Sequence, residues 1–574
     1  MSYLNFKSEY DRFPKTTIKN HKAFRGYDEI YHELNSKMNN RCVVVFDYYP
    51  GVDEEEVYEL IKRFNFSLEI NMHDIFKDGK TMTEQMKYNL TDDRVFGKMY
   101  YGNLVDFIDE EKLEEAKNKV EEHHGSTIIY GVGAGLLSHG DLYIYFDMAR
   151  WEIQLRYRKS MPNYNCDNYD EDILKKYKRG YFVEWRIADK HKAERFDCFD
   201  YVVDTNVAND PKMISRYTFT ESLKQLAQKP FRTVPYFDPG VWGGQWMKEV
   251  CNLDVNQPNY AWSFDGVPEE NSILFDYDGV TVELPAMDLV LYQPKELLGE
   301  QVYSRFGSEF PIRFDFLDTM EGQNLSLQVH PLTEYIKKNF GMSYTQDESY
   351  YILDAKEDAH VYLGLKEGIQ PTEMISDLES AQRGEIVFDA DKYINKFPAK
   401  KHDHFLIPAG TCHCSGKNAM VLEISATPYI FTFKLWDWQR LGLDGLPRPI
   451  NIEHGKHVIQ WDRTTKWVKE NLVNATYEVK EEGNDCKIEH TGLHELEFIE
   501  TRRYTINNDS LHKTHGTVNM LNLIDGKSAI IEGNFEPFIV HYAETFIIPA
   551  SINEYTIKPY GCDEIKVLKA YVRN

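Results

Sequence analysis

No apolar run in the chain approaches the roughly 20 residues needed to span a bilayer, and the opening Met1-Ser2-Tyr3-Leu4-Asn5-Phe6-Lys7 has no apolar signal core. There is no basic excess either. A net charge of −26 argues against nucleic acid or an anionic membrane as partner. The eight cysteines follow no regular spacing, which predicts free thiols in a reducing cytoplasm rather than a disulfide framework. No Gly-x-x-x-x-Gly-Lys-Ser/Thr loop is present, so the usual phosphate cradle is missing. Low-complexity stretches and long flexible linkers are also absent. At 574 residues the chain should hold more than one domain.

The first part, residues 1–210, reads as an α/β unit. Cys42 to Asp47 is a buried-strand run ending at Pro50-Gly51, and Glu54 to Phe64 has helical spacing with Val57, Leu60 and Ile61 on one face. Ser126 to Tyr130 is a second strand that runs into Gly131-Val132-Gly133-Ala134-Gly135. Met148 to Tyr157 reads as helix and Asp200 to Asn206 as the last strand, with Pro211 just past the boundary. Strand-to-turn-to-helix passages of this kind predict a parallel sheet. The order resembles nucleoside and uridine kinases of the P-loop class. After the first strand, however, this chain places Asp53-Glu54-Glu55-Glu56 where phosphates would lie. The expectation is a kinase-like domain without phosphoryl transfer.

From about Lys212 short strands alternate with Gly, Pro and Asp turns, which predicts an all-β core. Helical pieces are expected at Thr333 to Phe340 and Thr372 to Asn395. Within this region Gln328 and His330 are two apart, on one face of a strand. Glu348 follows, and His413 ends a Pro-x-Gly-x-x-His stretch. Two imidazoles, a carboxylate and an amide oxygen suit Zn²⁺ with a position left for water or substrate. By residue type alone, hydrogen-bonded core or surface residues are the commoner reading, and Gln is rarely a ligand. Cys412 and Cys414 flank His413 and should face away from it, as packing residues. His402 and His404 form a competing His-x-His pair in a charged loop.

Leu325 to Pro331, Asp347 to Asp354 and Pro408 to His413 resemble successive signatures of class I mannose-6-phosphate isomerases, which are zinc-dependent cupins. Val241-Trp242-Gly243-Gly244, Val421 to Ile424, Trp436-Asp437-Trp438 and Pro447 to Glu453 match in family order around them, so seven motifs carry the resemblance between about Pro230 and Trp461. It implies a double jelly-roll with helical insertions: a metal-binding cupin over 211–465 and a metal-free cupin-like β domain over 466–574. One Zn²⁺ per chain would sit on Gln328, His330, Glu348 and His413. The implied chemistry is aldose–ketose isomerisation of mannose 6-phosphate and fructose 6-phosphate through a cis-enediol.

Glu423 is the candidate acid/base or positioning carboxylate, since it lies in the otherwise apolar Val421-Leu422-Glu423-Ile424 strand. A buried carboxylate paired with a nearby cation is the alternative. Ser326 and Trp242 are carried over as substrate contacts. Three departures bear on the substrate: Lys434 stands for the family's active-site Arg, and Asp315 and Gln346 each stand where the family has Lys. A phosphosugar would need other cations, for which Arg313, Arg440 and Arg448 are candidates. A related isomerase of a non-phosphorylated sugar, or a non-enzymatic sugar or nucleotide sensor, is the alternative. An Fe(II) oxygenase is disfavoured because Gln328 fills a position such sites leave open.

Overall fold

The computed structural model describes residues 2–573 apart from 40, 427, 428, 443, 444, 446, 447, 449 and 482, so Pro447 and Pro449 of the last family motif lie outside the described residues. The chain forms two compact units. One holds residues 15–226 and 268–293; the other holds 1–14, 227–267 and 294–574. The units therefore do not divide the chain at residue 210. A strand pair, Ser272–Tyr277 with Val280–Pro285, and the helix Ala286–Tyr292 belong to the first unit, where Lys15–Thr17 adds a parallel third strand.

The first unit is built on a seven-stranded sheet. Its strands are β1 (Ala23–Arg25), β2 (Val43–Tyr48), β3 (Leu68–Asn71), β4 (Thr127–Gly131), β5 (Leu142–Asp147), β6 (Tyr201–Asp204) and β7 (Lys212–Ser215). They lie in the order β1-β7-β6-β5-β2-β4-β3. The last five in that order, β6-β5-β2-β4-β3, run parallel, as the alternating strand and helix pattern predicts. Buried on both faces, β2 and β5 are nearly continuous apolar or aromatic runs. β6 is not the last strand. The chain returns past Pro211 to add β7 antiparallel to it, and β1 pairs antiparallel with β7 at the edge. A four-residue strand beside a helix start carries too short a pattern to announce itself in sequence.

The glycine-rich stretch after β4 turns out to be an internal anion receptor. Gly133 and Gly135 donate their N–H groups to the Asp47 carboxylate at 2.8 and 3.0 Å, and the Tyr143 hydroxyl donates to it at 2.6 Å. His191 Nε2 lies 2.7 Å from the same carboxylate. Burial pushes the Asp47 pKa up, but His191 and the hydrogen bonds outweigh it and hold the group below the usual carboxylate value. Left-handed Gly133 (φ 78°) lets the turn close.

The second unit contains two stacked β-sandwiches. The first uses β8 (Arg313–Asp318), β9 (Leu327–Val329), β10 (Asp347–Ala355), β11 (His360–Leu365), β12 (His404–Ile407), β13 (His413–Ser415), β14 (Ala419–Ala426) and β15 (Phe433–Trp436). One sheet runs β12-β10-β14-β8 and continues through Trp262–Phe264 and Tyr236–Asp238; the other runs Ile394–Pro398, β11, β13, β9, β15. Thr333–Phe340 is helical as expected. The expected Thr372–Asn395 helix is shorter, Pro371–Gln382, because Gly384 (φ 78°) ends it; Ile394–Pro398 then pairs with β11 as a strand. The second sandwich packs a six-stranded against a four-stranded sheet around Tyr504, Ile531, Phe546 and Val567.

Replacing Asp47 by Ala leaves the glycine N–H groups, a phenol and an imidazole facing a buried void. The expected cost is about 3–5 kcal/mol. A matching downward shift in the thermal transition of the full chain checks it; an unchanged transition would mean that the turn is not held by this carboxylate.

Candidate metal centre

Three strands converge on one buried point. β9 carries Gln328, and His330 follows directly after it. β10 carries Glu348 and β13 begins with His413. Gln328 pairs directly with His413 on one side and with Lys434 on the other. Residues opposed across a ladder share a face, so Lys434, Gln328 and His413 stand in a row on one sheet. The other sheet brings its own row: Glu348 opposite Ser425, Tyr350 opposite Glu423, and Glu423 opposite Asp315. His330, Glu348 and His413 have no measurable exposure, and Gln328 has 7%.

One nitrogen of each imidazole is committed to the backbone. His330 Nδ1 lies 2.9 Å from the Phe431 carbonyl and His413 Nδ1 lies 2.8 Å from the Thr411 carbonyl. A carbonyl only accepts, so both Nδ1 atoms carry the proton and both Nε2 atoms present lone pairs. Those lone pairs face Glu348, with His330 Nε2 3.1 Å from Oε2 and His413 Nε2 2.8 Å from Oε1. Among the described residues neither His330 Nε2 nor Glu348 Oε1 has a hydrogen-bond partner. Ligand atoms of the three residues lie within 4.8 Å of one another. Burial raises the Glu348 pKa, yet the two imidazoles outweigh it and hold the group well below the usual carboxylate value. A fully buried set of lone pairs and one anion, held from outside by backbone carbonyls, fits a divalent cation.

Gln346 and Phe431 hold the His330–Glu348 pair in a way that sequence reasoning missed. Gln346 Nε2 donates to Glu348 Oε2 at 3.0 Å, and its Oε1 accepts from Phe431 N–H at 3.0 Å. Phe431 thus orients His330 through its carbonyl and Gln346 through its amide. In sequence Gln346 registers only as a missing Lys. A backbone carbonyl leaves no residue-type signal at all.

Glu423 is buried, and its pKa is pushed well above the usual range by burial first, then by Glu348 and Asp315, with Arg313 opposing. Arg313 itself is buried on β8 with its guanidinium 6.0 Å from the Phe264 ring centroid. Ser326 donates to Asp437 at 2.9 Å, and Arg448 Nη1 reaches Ser326 Oγ at 3.3 Å and Asp437 Oδ2 at 2.8 Å. Arg440 also pairs with Asp437. Two guanidiniums therefore share one carboxylate beside Ser326. Trp242 is buried next to the Gly322–Gln323 turn, its carbonyl accepting from Gln323 N–H.

The Cys412 and Cys414 thiols are buried and their pKa values are raised by burial, that of Cys412 to about 12, so neither is poised as a thiolate. His404 is buried on β12 against Tyr351, with its pKa pushed down to about 3 by burial, and His402 pairs with Asp525 and Tyr351. Neither joins the His330–Glu348–His413 group.

Residues 26–228 match a family described as a domain of unknown function (DUF8485). The remainder points elsewhere. The chain is 27% identical over 252 residues to the probable mannose-6-phosphate isomerase GmuF of Bacillus subtilis, covering 44% of this chain and 73% of the relative. It is 22% identical over 345 residues to the mannose-6-phosphate isomerase ManA of the same organism, covering 60% and 96%. Similarity in sequence thus runs to mannose-6-phosphate isomerases. A crystal structure of the mannose 6-phosphate isomerase from Bacillus subtilis aligns with a TM-score of 0.49 and 18% identity, covering 60% of this chain and all of that one.

Asp437 holds two guanidiniums inside the fold, so Asp437→Ala should destabilise the protein by about 3–5 kcal/mol. Asp437→Asn, which keeps an acceptor for Ser326, should cost less. Chemical denaturation of both variants gives the comparison, and equal, near-zero effects would show the cluster to be solvated.

Proposed function

We propose that the chain is a zinc-dependent aldose–ketose isomerase that interconverts mannose 6-phosphate and fructose 6-phosphate. The observation that carries this reading is the buried His330–Glu348–His413 group, set in a sequence similar to mannose-6-phosphate isomerases. Zn²⁺ would be held by His330 Nε2, Glu348, His413 Nε2 and, once its amide is turned oxygen-inward, Gln328. When bound, it supplies Lewis-acid stabilisation of negative charge developing on a sugar carbonyl oxygen.

The remaining work falls to this chain's own side chains. Glu423, with its raised pKa, is suited to take up and return a proton between adjacent carbons. Lys434, in the row beside Gln328, supplies a cation for the enediolate, though without the planar two-pronged donor of Arg. Arg448 and Arg440 beside Ser326 offer a grip for the phosphate, which compensates for the positive charge missing at Asp315 and Gln346 and favours a phosphorylated over a free sugar. All eight cysteines are free, which supports a reducing, cytoplasmic setting. The likeness of the first unit to nucleoside kinases belongs to the same proposal. Its five parallel strands support it, and the occupation of the glycine turn by Asp47 argues against phosphoryl transfer.

His413→Ala should remove both the metal, expected at about one Zn²⁺ per chain, and turnover of mannose 6-phosphate. Metal analysis beside a coupled assay reads both, and a variant with full metal and normal turnover refutes the ligand set. Lys434→Met should lower turnover by about 10²–10³, whereas Lys434→Arg should be tolerated. A Met variant within a few-fold of the parent would make Lys434 a solvated strand residue and move the search for the cation to Arg313, Arg440 or Arg448.

A further inference from the structure

The first unit holds a cleft of about 1880 Å³ at the carboxyl ends of its parallel strands, lined by Tyr49 after β2, His73 after β3 and Val132 after β4. In parallel α/β sheets the crevice at this edge, where the strand order reverses, is the usual ligand position. Here β2 lies between β4 and β5, so the reversal falls at the cleft.

The backbone receptors that would take an anion at such an edge are filled by the protein itself. Asp47 occupies the Gly133–Gly135 turn. Asp53 caps the helix Glu54–Ile61 by accepting from Glu56 N–H, and Asp78 caps Gly79–Leu90 by accepting from Lys80 and Thr81 N–H. What faces the cleft is different. Glu54, the first helical residue, lines it, and among the described residues nothing donates to its carboxylate; burial pushes its pKa up to about 7. Among the described residues the buried Tyr164 hydroxyl has no partner, and its ring is edge-on to Phe76 at 5.1 Å. Arg179 is 4% exposed and engages Glu184 and Thr83, yet among the described residues its Nη2 has no partner. An unused acceptor, an unused hydroxyl, an unused guanidinium donor and aromatic surfaces thus line one cavity.

We propose that this cleft binds an uncharged, polyhydroxylated ligand that carries no phosphate: its hydroxyls donate to Glu54 and accept from Tyr164 and Arg179, while its ring packs against Phe76 and Tyr164. A hydroxyl both donates and accepts, which satisfies carboxylate and guanidinium together. A cation would confront Arg179, and a phosphate would meet Glu54 with no free turn to receive it. A free sugar and the ribose of a nucleoside share this chemistry. The site is separate from the metal centre and does not rest on the isomerase reading.

The test is calorimetric titration of the full-length His413→Ala variant, in which the metal centre is disabled, with free hexoses and pentoses, with adenosine, and with mannose 6-phosphate and Mg-ATP. Binding by a free sugar or by adenosine is expected, with the phosphorylated compounds at least about tenfold weaker. Whichever of the two binds identifies the source. Glu54→Gln in that background should weaken binding by about tenfold or more, and Tyr164→Phe, a mild change, should weaken it as well. The proposal is overturned if no uncharged compound binds at about 10 mM, if a phosphorylated compound binds more tightly, or if folded Glu54→Gln and Tyr164→Phe variants both bind like the parent. Binding seen only with an intact His413 would place the ligand at the metal centre and overturn it equally.

Discussion

A fully buried carboxylate and two imidazoles are tolerable only if something positive joins them or if they lose their charge. The second unit is arranged around that constraint. Against burial, attraction to the imidazoles when they carry a proton toward it holds Glu348 below the ordinary carboxylate range, and backbone carbonyls at Phe431 and Thr411 fix the outer ring nitrogens. Strand pairing does the rest. The Gln328–His413 and Glu348–Ser425 registers set which side chains point between the two sheets, and a slip of one residue would turn every one of them outward.

The same sheets were partly legible in the residues. Gln328, His330, Glu348 and His413 could be chosen because imidazoles and carboxylates at strand spacing are rare in apolar runs, and because the motif order narrowed the choice. Glu423 could be chosen for the same reason. What could not be read was the support: Gln346 looks like a lost cation until its amide is seen bridging Glu348 and Phe431. Asp437 looks like part of a motif until Arg440 and Arg448 are found on it. The Gln346–Phe431 and Ser326–Asp437 contacts join residues 85 and 111 positions apart, and the short-range ones depend on which way a side chain turns, so neither kind leaves a local pattern.

In the first unit three of the parallel strands, β2, β4 and β6, were legible from their continuous apolar runs, while β3, β5 and the short β1 and β7 were not read. Residues 268–293 illustrate the same limit. Their strands carry ordinary alternation, and nothing local says that they complete a sheet begun more than 250 residues earlier at Lys15. Membership of a compact unit is a property of long-range pairing.

The two units treat negative charge in opposite ways, and this bears on what each can do. In the second, a carboxylate and two imidazole lone pairs converge on one point, an arrangement that becomes favourable only with a cation added. In the first, Asp47 and Asp53 spend their charge on backbone N–H groups that would otherwise attract a phosphate. A chain that answers its own anion receptors with aspartates has removed the driving force for binding nucleotide phosphates there. It has not removed the cleft, whose lining includes an acceptor at Glu54, a hydroxyl at Tyr164 and a donor at Arg179 beside lysines and other carboxylates. The loss of one chemistry and the retention of a shaped, polar cavity are separate facts. Together they turn the acidic run after β2, which in sequence reads only as a missing phosphate loop, into part of a surface with its own recognition pattern.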